Sequence, residues 1–217
     1  MSAKDDILAN LRASLACSQK SVPEQPHRDY RLEGEYEPGS PEVIDEFADA
    51  LVDYKAKVWR VKASGIADAI DEALEGCGSA VVPAGLDAEW RQAASRSGRQ
   101  VAVDAPESVL SHYELDGTDA VVTGSRVAIS GTGSILLDGT PDQGRRALTL
   151  IPDTHVVVVF ASVVQPTTPQ ALAIIGEHPT RPITWIAGPS ATSDIELVRV
   201  DGVHGPRNLN VIIVEDR

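Results

Sequence analysis

The sequence predicts an α/β protein built on a largely parallel sheet with helices on its faces. Three observations carry this. From about residue 58 to residue 104, short β-prone runs alternate with amphipathic helical patterns, the rhythm of a parallel sheet with crossover helices. The run His155-Val156-Val157-Val158-Val159-Phe160 is apolar without alternation, as in a strand buried on both faces. With 217 residues, 42% hydrophobic and 24% charged, the chain can bury a core without a disulfide or metal staple.

The elements follow in order. Asp5 and Asp6 favour a helix N-terminus, and Ile7, Leu8, Leu11 and Leu15 then repeat on one helical face. Residues 18–40 hold Pro23, Pro26, Gly34, Pro38 and Gly39 among many charges. They read as a loose connector, with an arm that swaps onto a second copy in a homo-oligomer as the alternative. Residues 1–40 are thus set apart from a main domain over 41–217. Ser40-Pro41 opens the next helix as N-cap and first helical residue, with Ile44, Phe47, Ala48 and Leu51 facing the core. Residues 58–61 read as a strand and 66–75 as a helix. A strand over 78–82 ends at Pro83, and a helix over 87–97 is capped by Asp87 and closed by Gly98. Strands are expected over residues 100–104, 120–123, 126–130, 134–138, 155–160 and 209–214, with another buried strand over 183–187. Thr168-Pro169 starts one more helix.

Charge and cysteines narrow the function classes. The formal net charge is −13, from 19 basic and 32 acidic residues. A chain this acidic repels nucleic-acid backbones and anionic membranes. Arg145-Arg146 and Arg181 are local basic spots. Two distant cysteines, Cys17 and Cys77, do not make an iron–sulfur or structural zinc site. No His-x-x-x-His or His-x-His pair supports a mononuclear metal, so neither a metal nor another cofactor is expected. Acids near the N-terminus where a signal peptide wants positive charge, and no apolar run long enough to span a bilayer, lead to the expectation of a cytoplasmic protein.

Three loops are placed to carry chemistry. Ser130-Gly131-Thr132-Gly133-Ser134 lies between two alternating strands. It is either a plain hairpin turn or a ring of N–H groups and hydroxyls that binds a small anion. Trp185 leads through Gly188, Pro189, Ser190 and Thr192 to Asp194 and Glu196, beyond the end of a strand, where open α/β sheets place ligands. Ser193 with Glu196 also fits a simple helix capping box. In the third, His204 sits between Val203 and Gly205-Pro206, a tight turn able to expose an imidazole for acid–base work. Of the five histidines, His204 and His155 are the two best placed to act. The candidate catalytic groups are therefore His204, Asp194 and Glu196.

Residues 122–138, 143–155, 188–196 and 202–206 together resemble, in order and spacing, the signatures of the lactate-utilisation protein C family, the LUD domain. The match covers about the last hundred residues. The resemblance implies a three-layer α/β/α fold like that of glucosamine-phosphate isomerase, ribose-phosphate isomerase and CoA-transferase. It also implies a non-redox part in oxidising L-lactate to pyruvate beside iron–sulfur partner proteins. The alternative is a stand-alone isomerase or acyl-transferase acting on a phosphorylated or CoA-linked metabolite. One position departs from the family pattern, which usually reads Ala-Glu-Thr-Gly-Thr. Gly131 stands where a glutamate is usual, which removes a carboxylate of the kind that serves acyl transfer or proton abstraction.

Overall fold

The computed structural model describes residues 3–17, 26–27, 29–192, 200–201 and 204–217; the side chains of 191, 192, 200 and 201 fall outside that description. The chain divides into two units, Met1–Tyr30 and Arg31–Arg217. The first holds helix α1, Ala3–Cys17, whose apolar face of Ile7, Leu8, Leu11 and Leu15 is exposed.

Local chemistry explains most elements of the second unit. Helix α2, Pro41–Asp53, starts where the Ser40 hydroxyl accepts from the Val43 N–H, and it buries Val43, Ile44, Phe47, Ala48 and Leu51. Strand β1, Lys57–Val61, leads to α3, Ile66–Ala73, and β2, Ser79–Pro83. Helix α4, Ala88–Ala94, is capped by the Asp87 carboxylate, which accepts from the Glu89 and Trp90 N–H groups. Strand β3, Gln100–Asp104, precedes a five-residue helix α5, His112–Asp116, held by a Ser111–Glu114 capping box. Next come β4, Ala120–Thr123; β5, Val127–Ile129; β6, Ser134–Leu137; β7, Thr154–Phe160; and β8, Val164–Gln165. Helix α6, Thr168–Ile175, is followed by β9, Thr184–Ala187, the short pair β10, Ala191–Thr192, and β11, Val200–Asp201, and finally β12, Asn208–Val214.

Six strands form an all-parallel sheet in the order β1-β12-β7-β4-β2-β3. The apolar run of β7 sits in its interior, as expected. Side chains alternate across the sheet. Ala80, Val82, Val122, Val156, Val158 and Ile212 meet Ile66, Ile70, Ala93 and Ala94 of α3 and α4. On the other face, Val157, Val159, Val211 and Ile213 meet α2 and residues of a second, four-stranded sheet ordered β8-β5-β6-β9. Leu115 of α5 covers Val81 and Val121 there. Ala171 and Ile175 of α6 back the smaller sheet.

The predicted α/β class with a parallel central sheet and helices on both sides is therefore what forms. One strand differs from expectation. β9 is not a buried strand but the edge of the smaller sheet, with one face covered. Its residues alternate in burial, and Trp185 is 46% exposed. The Ser130–Thr132 segment does turn a β5–β6 hairpin, with Gly133 left-handed at φ 58°. Residues 31–40 belong to the second unit. The Gly39 N–H donates to Val164 O at 3.1 Å, and the Thr167 hydroxyl to Leu32 O at 3.0 Å.

Candidate functional site

His155 is the second residue of β7, on the face turned to the smaller sheet, and it is buried. Its Nε2 shares a 2.8 Å hydrogen bond with the Thr123 hydroxyl at the end of β4. Burial, with a smaller contribution from the charge of Arg146, pushes the imidazole pKa down from 6.5 to about 3. The ring is thus neutral at physiological pH.

His155 forms part of the wall of a cavity of about 340 Å³, together with Arg146, Thr149, Ser190 and His204. Two of the loops singled out in the sequence build its rim. The Ser190 N–H donates to Pro206 O at 2.8 Å, and the Ser190 hydroxyl accepts from the His204 N–H at 2.9 Å. Beyond Ser190 the backbone continues as the antiparallel pair β10–β11, with Thr192 opposite Val200. Gly188 is left-handed at φ 77°, and a Cβ there would come within 2.9 Å of the Tyr54 Cβ. Only glycine lets the chain turn this close to the end of α2. Gly188, Pro189, Ser190, His204 and Gly205 are thus brought together around one cavity.

Arg146 supplies the charge. Its Nη1 donates to the carbonyl and hydroxyl of Thr149 at 2.8 and 3.0 Å, and its Nη2 lies 3.5 Å from His204 O. No carboxylate pairs with it among the described residues. Burial lowers its pKa, but a guanidinium stays charged. Its neighbour Arg145 points elsewhere, with Nε and Nη2 each donating to Asp104 at 2.9 Å. The basic spot seen in the sequence therefore separates into one paired arginine and one without an acid among the described residues. A solvent-accessible cation beside a neutral imidazole, a hydroxyl and an exposed histidine is a setting that favours a small anion.

The Ser130–Ser134 candidates lie apart from this cavity. Ser130 and Ser134 are buried, Thr132 donates to the Ser134 hydroxyl at 2.9 Å, and Gly133 packs on Ala50 and Leu51 of α2. The Ser130 hydroxyl donates to Glu46 of α2 at 2.5 Å, and a Cβ on Gly131 would lie 3.6 Å from that carboxylate. So Glu46 places an acid beside the position where the sequence has glycine. Asp194 and Glu196 lie outside the described residues. Among the described residues no group of three His, Cys, Asp or Glu side chains is arranged to hold a metal ion, and no helix is long and apolar enough to cross a membrane. Thr123 and Thr149 carried no signal in the sequence.

Fold and cavity define an α/β protein with a parallel sheet and a ligand-sized, cationic recess between its two sheets. The model of the LUD domain matches residues 44–214, and the chain belongs to that family. It is 47% identical over 175 residues to "Lactate utilization protein C" of Deinococcus radiodurans, covering 80% of each chain. A protein of the same name from Bacillus licheniformis is 37% identical over 102 residues, 44% of this chain and 42% of that one. An uncharacterised protein of Neisseria meningitidis is 28% identical over 227 residues, 99% of this chain and 94% of the other. The crystal structure of a DUF162 family protein from Deinococcus radiodurans superposes with a TM-score of 0.68 at 42% identity, covering 80% of this chain and 96% of that one.

Proposed function

We propose that this chain serves in lactate utilisation as a non-redox component that binds a small carboxylate and works beside iron–sulfur proteins that oxidise L-lactate to pyruvate. The name of the Deinococcus relative supports the process. The observation that carries the ligand class is Arg146, an exposed cation without a carboxylate partner among the described residues, lining one cavity with His155 and His204. Lactate and pyruvate are small, singly charged and short in apolar surface, which suits a space of about 340 Å³ with mixed walls. The chain's two cysteines cannot supply the four thiolates an iron–sulfur cluster takes, so electron transfer falls to partners.

Deleting the gene tests the process: growth on L-lactate should fail while growth on other carbon sources persists, and unchanged growth would overturn the reading. Calorimetric titration of the full chain with pyruvate and L-lactate tests the ligand. Saturable binding of either is expected. A preference for sugar phosphates or CoA esters would favour the stand-alone isomerase or acyl-transferase instead. Affinity capture of the native protein tests the partners, with iron–sulfur proteins expected in the eluate.

A further inference from the structure

Arg146 and Thr149 also line a second, larger space. A chamber of about 530 Å³ lies where Pro83 and Asp104 end β2 and β3. Its position follows from the chain path. β2 leads into α4, packed on one face of the sheet, while the adjacent β4 leads into β5 and β6 on the other. Neighbouring parallel strands whose connections leave to opposite faces open a crevice beyond their carboxyl ends. Residues 139–144 edge this crevice and are tied down. The Gly85 N–H donates to Pro141 O at 3.0 Å and the Gly124 N–H to Asp142 O at 3.1 Å. The buried Gln143 side chain accepts from the Asp138 and Gly139 N–H groups at 2.7 and 3.1 Å. The chamber is thus a preformed feature of the sheet.

Its walls are apolar, with Ala84, Ala105, Pro106, Val109, Leu137 and Pro182 among them. Of its charged groups, Asp104 and Arg145 satisfy each other, which leaves Arg146 to meet a ligand. A small hydrated anion would leave these walls wet. An apolar body carrying one acid group would cover them and place its charge on the guanidinium.

We propose that this chamber is a second binding site, taking an organic anion with a ring-sized apolar body whose acid group sits on Arg146. Because Arg146 lines both spaces, the occupant of the chamber and a small carboxylate beside His155 compete for one guanidinium. The competition rests on the small-carboxylate reading above; the chamber's own ligand class does not.

The full chain is titrated calorimetrically with 2-naphthoate, with its neutral methyl ester, and with 2-naphthoate in the presence of saturating pyruvate. Val109 is 58% exposed, so Val109→Trp is placed to fill the chamber from its surface side without disturbing the core. Saturable naphthoate binding is expected, weakened about tenfold or more in Val109→Trp, in Arg146→Gln and in the ester. Pyruvate should bind Val109→Trp as it binds the parent, and should lower the apparent naphthoate affinity. Absence of saturable naphthoate binding, or binding indifferent to both substitutions, overturns the proposal. Naphthoate binding with no pyruvate binding would leave the chamber standing and sink the small-carboxylate reading; the converse result would do the opposite.

Discussion

The Thr123 hydroxyl and the His155 Nε2 lie 2.8 Å apart on the face of the central sheet turned to the smaller sheet, joining the end of β4 to the start of β7. A hydrogen-bonded neutral imidazole in that position is tolerated; an imidazolium is not. The relationship makes His155 a folding group as well as a wall of the cavity.

The pH dependence of stability follows with a definite sign. The folded pKa, about 3, lies below the ordinary value of 6.5. The unfolded chain therefore binds a proton that the folded chain refuses. Stability is full above pH 6.5 and declines as pH falls toward 3, with a slope near 1.4 kcal/mol per pH unit from this one group. Urea unfolding of the parent and of His155→Gln between pH 7.5 and 4.5 measures it. The two curves should diverge below pH 6.5, and parallel curves would show that His155 is protonated in the folded state.

Arg146→Gln removes the charge and shortens the side chain, leaving a neutral amide in place of the guanidinium fork. Charge-assisted hydrogen bonds contribute about 1.5–3 kcal/mol, so pyruvate affinity should fall by about tenfold or more. Arg146→Lys should recover part of it, since an ammonium supplies the charge without the planar fork. Equal affinity in all three proteins would remove Arg146 from the site.

Gly188→Ala tests whether the rim depends on one turn. The substitution forces a left-handed conformation on an L side chain and brings its Cβ within 2.9 Å of Tyr54. A loss of about 1–3 kcal/mol is expected in denaturant unfolding. Because Gly188 precedes Ser190, whose hydroxyl holds the His204 N–H, pyruvate binding should weaken too. Gly76→Ala is the control. It is also left-handed, at φ 85°, but has nothing within 4 Å of the added carbon, so it should show strain without a clash or a binding defect.

What could be read from the sequence was whatever has a local cause. Ser40, Pro41 and Asp87 mark helix starts through their own side chains, and the valine run of β7 declares a strand covered on both faces. β9 was expected to be buried because its apolar residues look alike whether a strand is covered on both faces or edges a small sheet. That choice is made by pairing with β6, where Ser134 lies opposite Ala187, 53 residues later in the chain. The α5 helix is too short, at five residues, to show a period. At the site, the histidines and the paired arginines stood out by type. That Arg145 turns to Asp104 while Arg146 turns to Thr149 and His204 depends on groups up to 58 residues away, and no local pattern encodes it.

The Asp104–Arg145 pair is the support on which that division rests. Burial alone would raise the Asp104 carboxyl. Hydrogen bonds from the Arg145 guanidinium and the Leu110 N–H outweigh it and hold the pKa below the usual 3.8. The Arg145 Nη2 also donates to Leu110 O at 2.5 Å, so one guanidinium fixes the end of β3 and the segment that follows. A carboxyl held below its unfolded value contributes stability that is present above pH 3.8 and lost as the pH falls through the lower folded value. Asp104→Asn keeps the shape but drops the charge, and should cost about 2 kcal/mol at pH 7. That cost should shrink in acid, where the parent loses the same charge. It also releases Arg145 beside the chamber, giving a second guanidinium without an acid. Naphthoate should therefore bind Asp104→Asn at least as tightly as the parent, even though the protein is less stable. A variant that loses stability and naphthoate binding together would mean that the pair shapes the chamber rather than merely neutralising its edge.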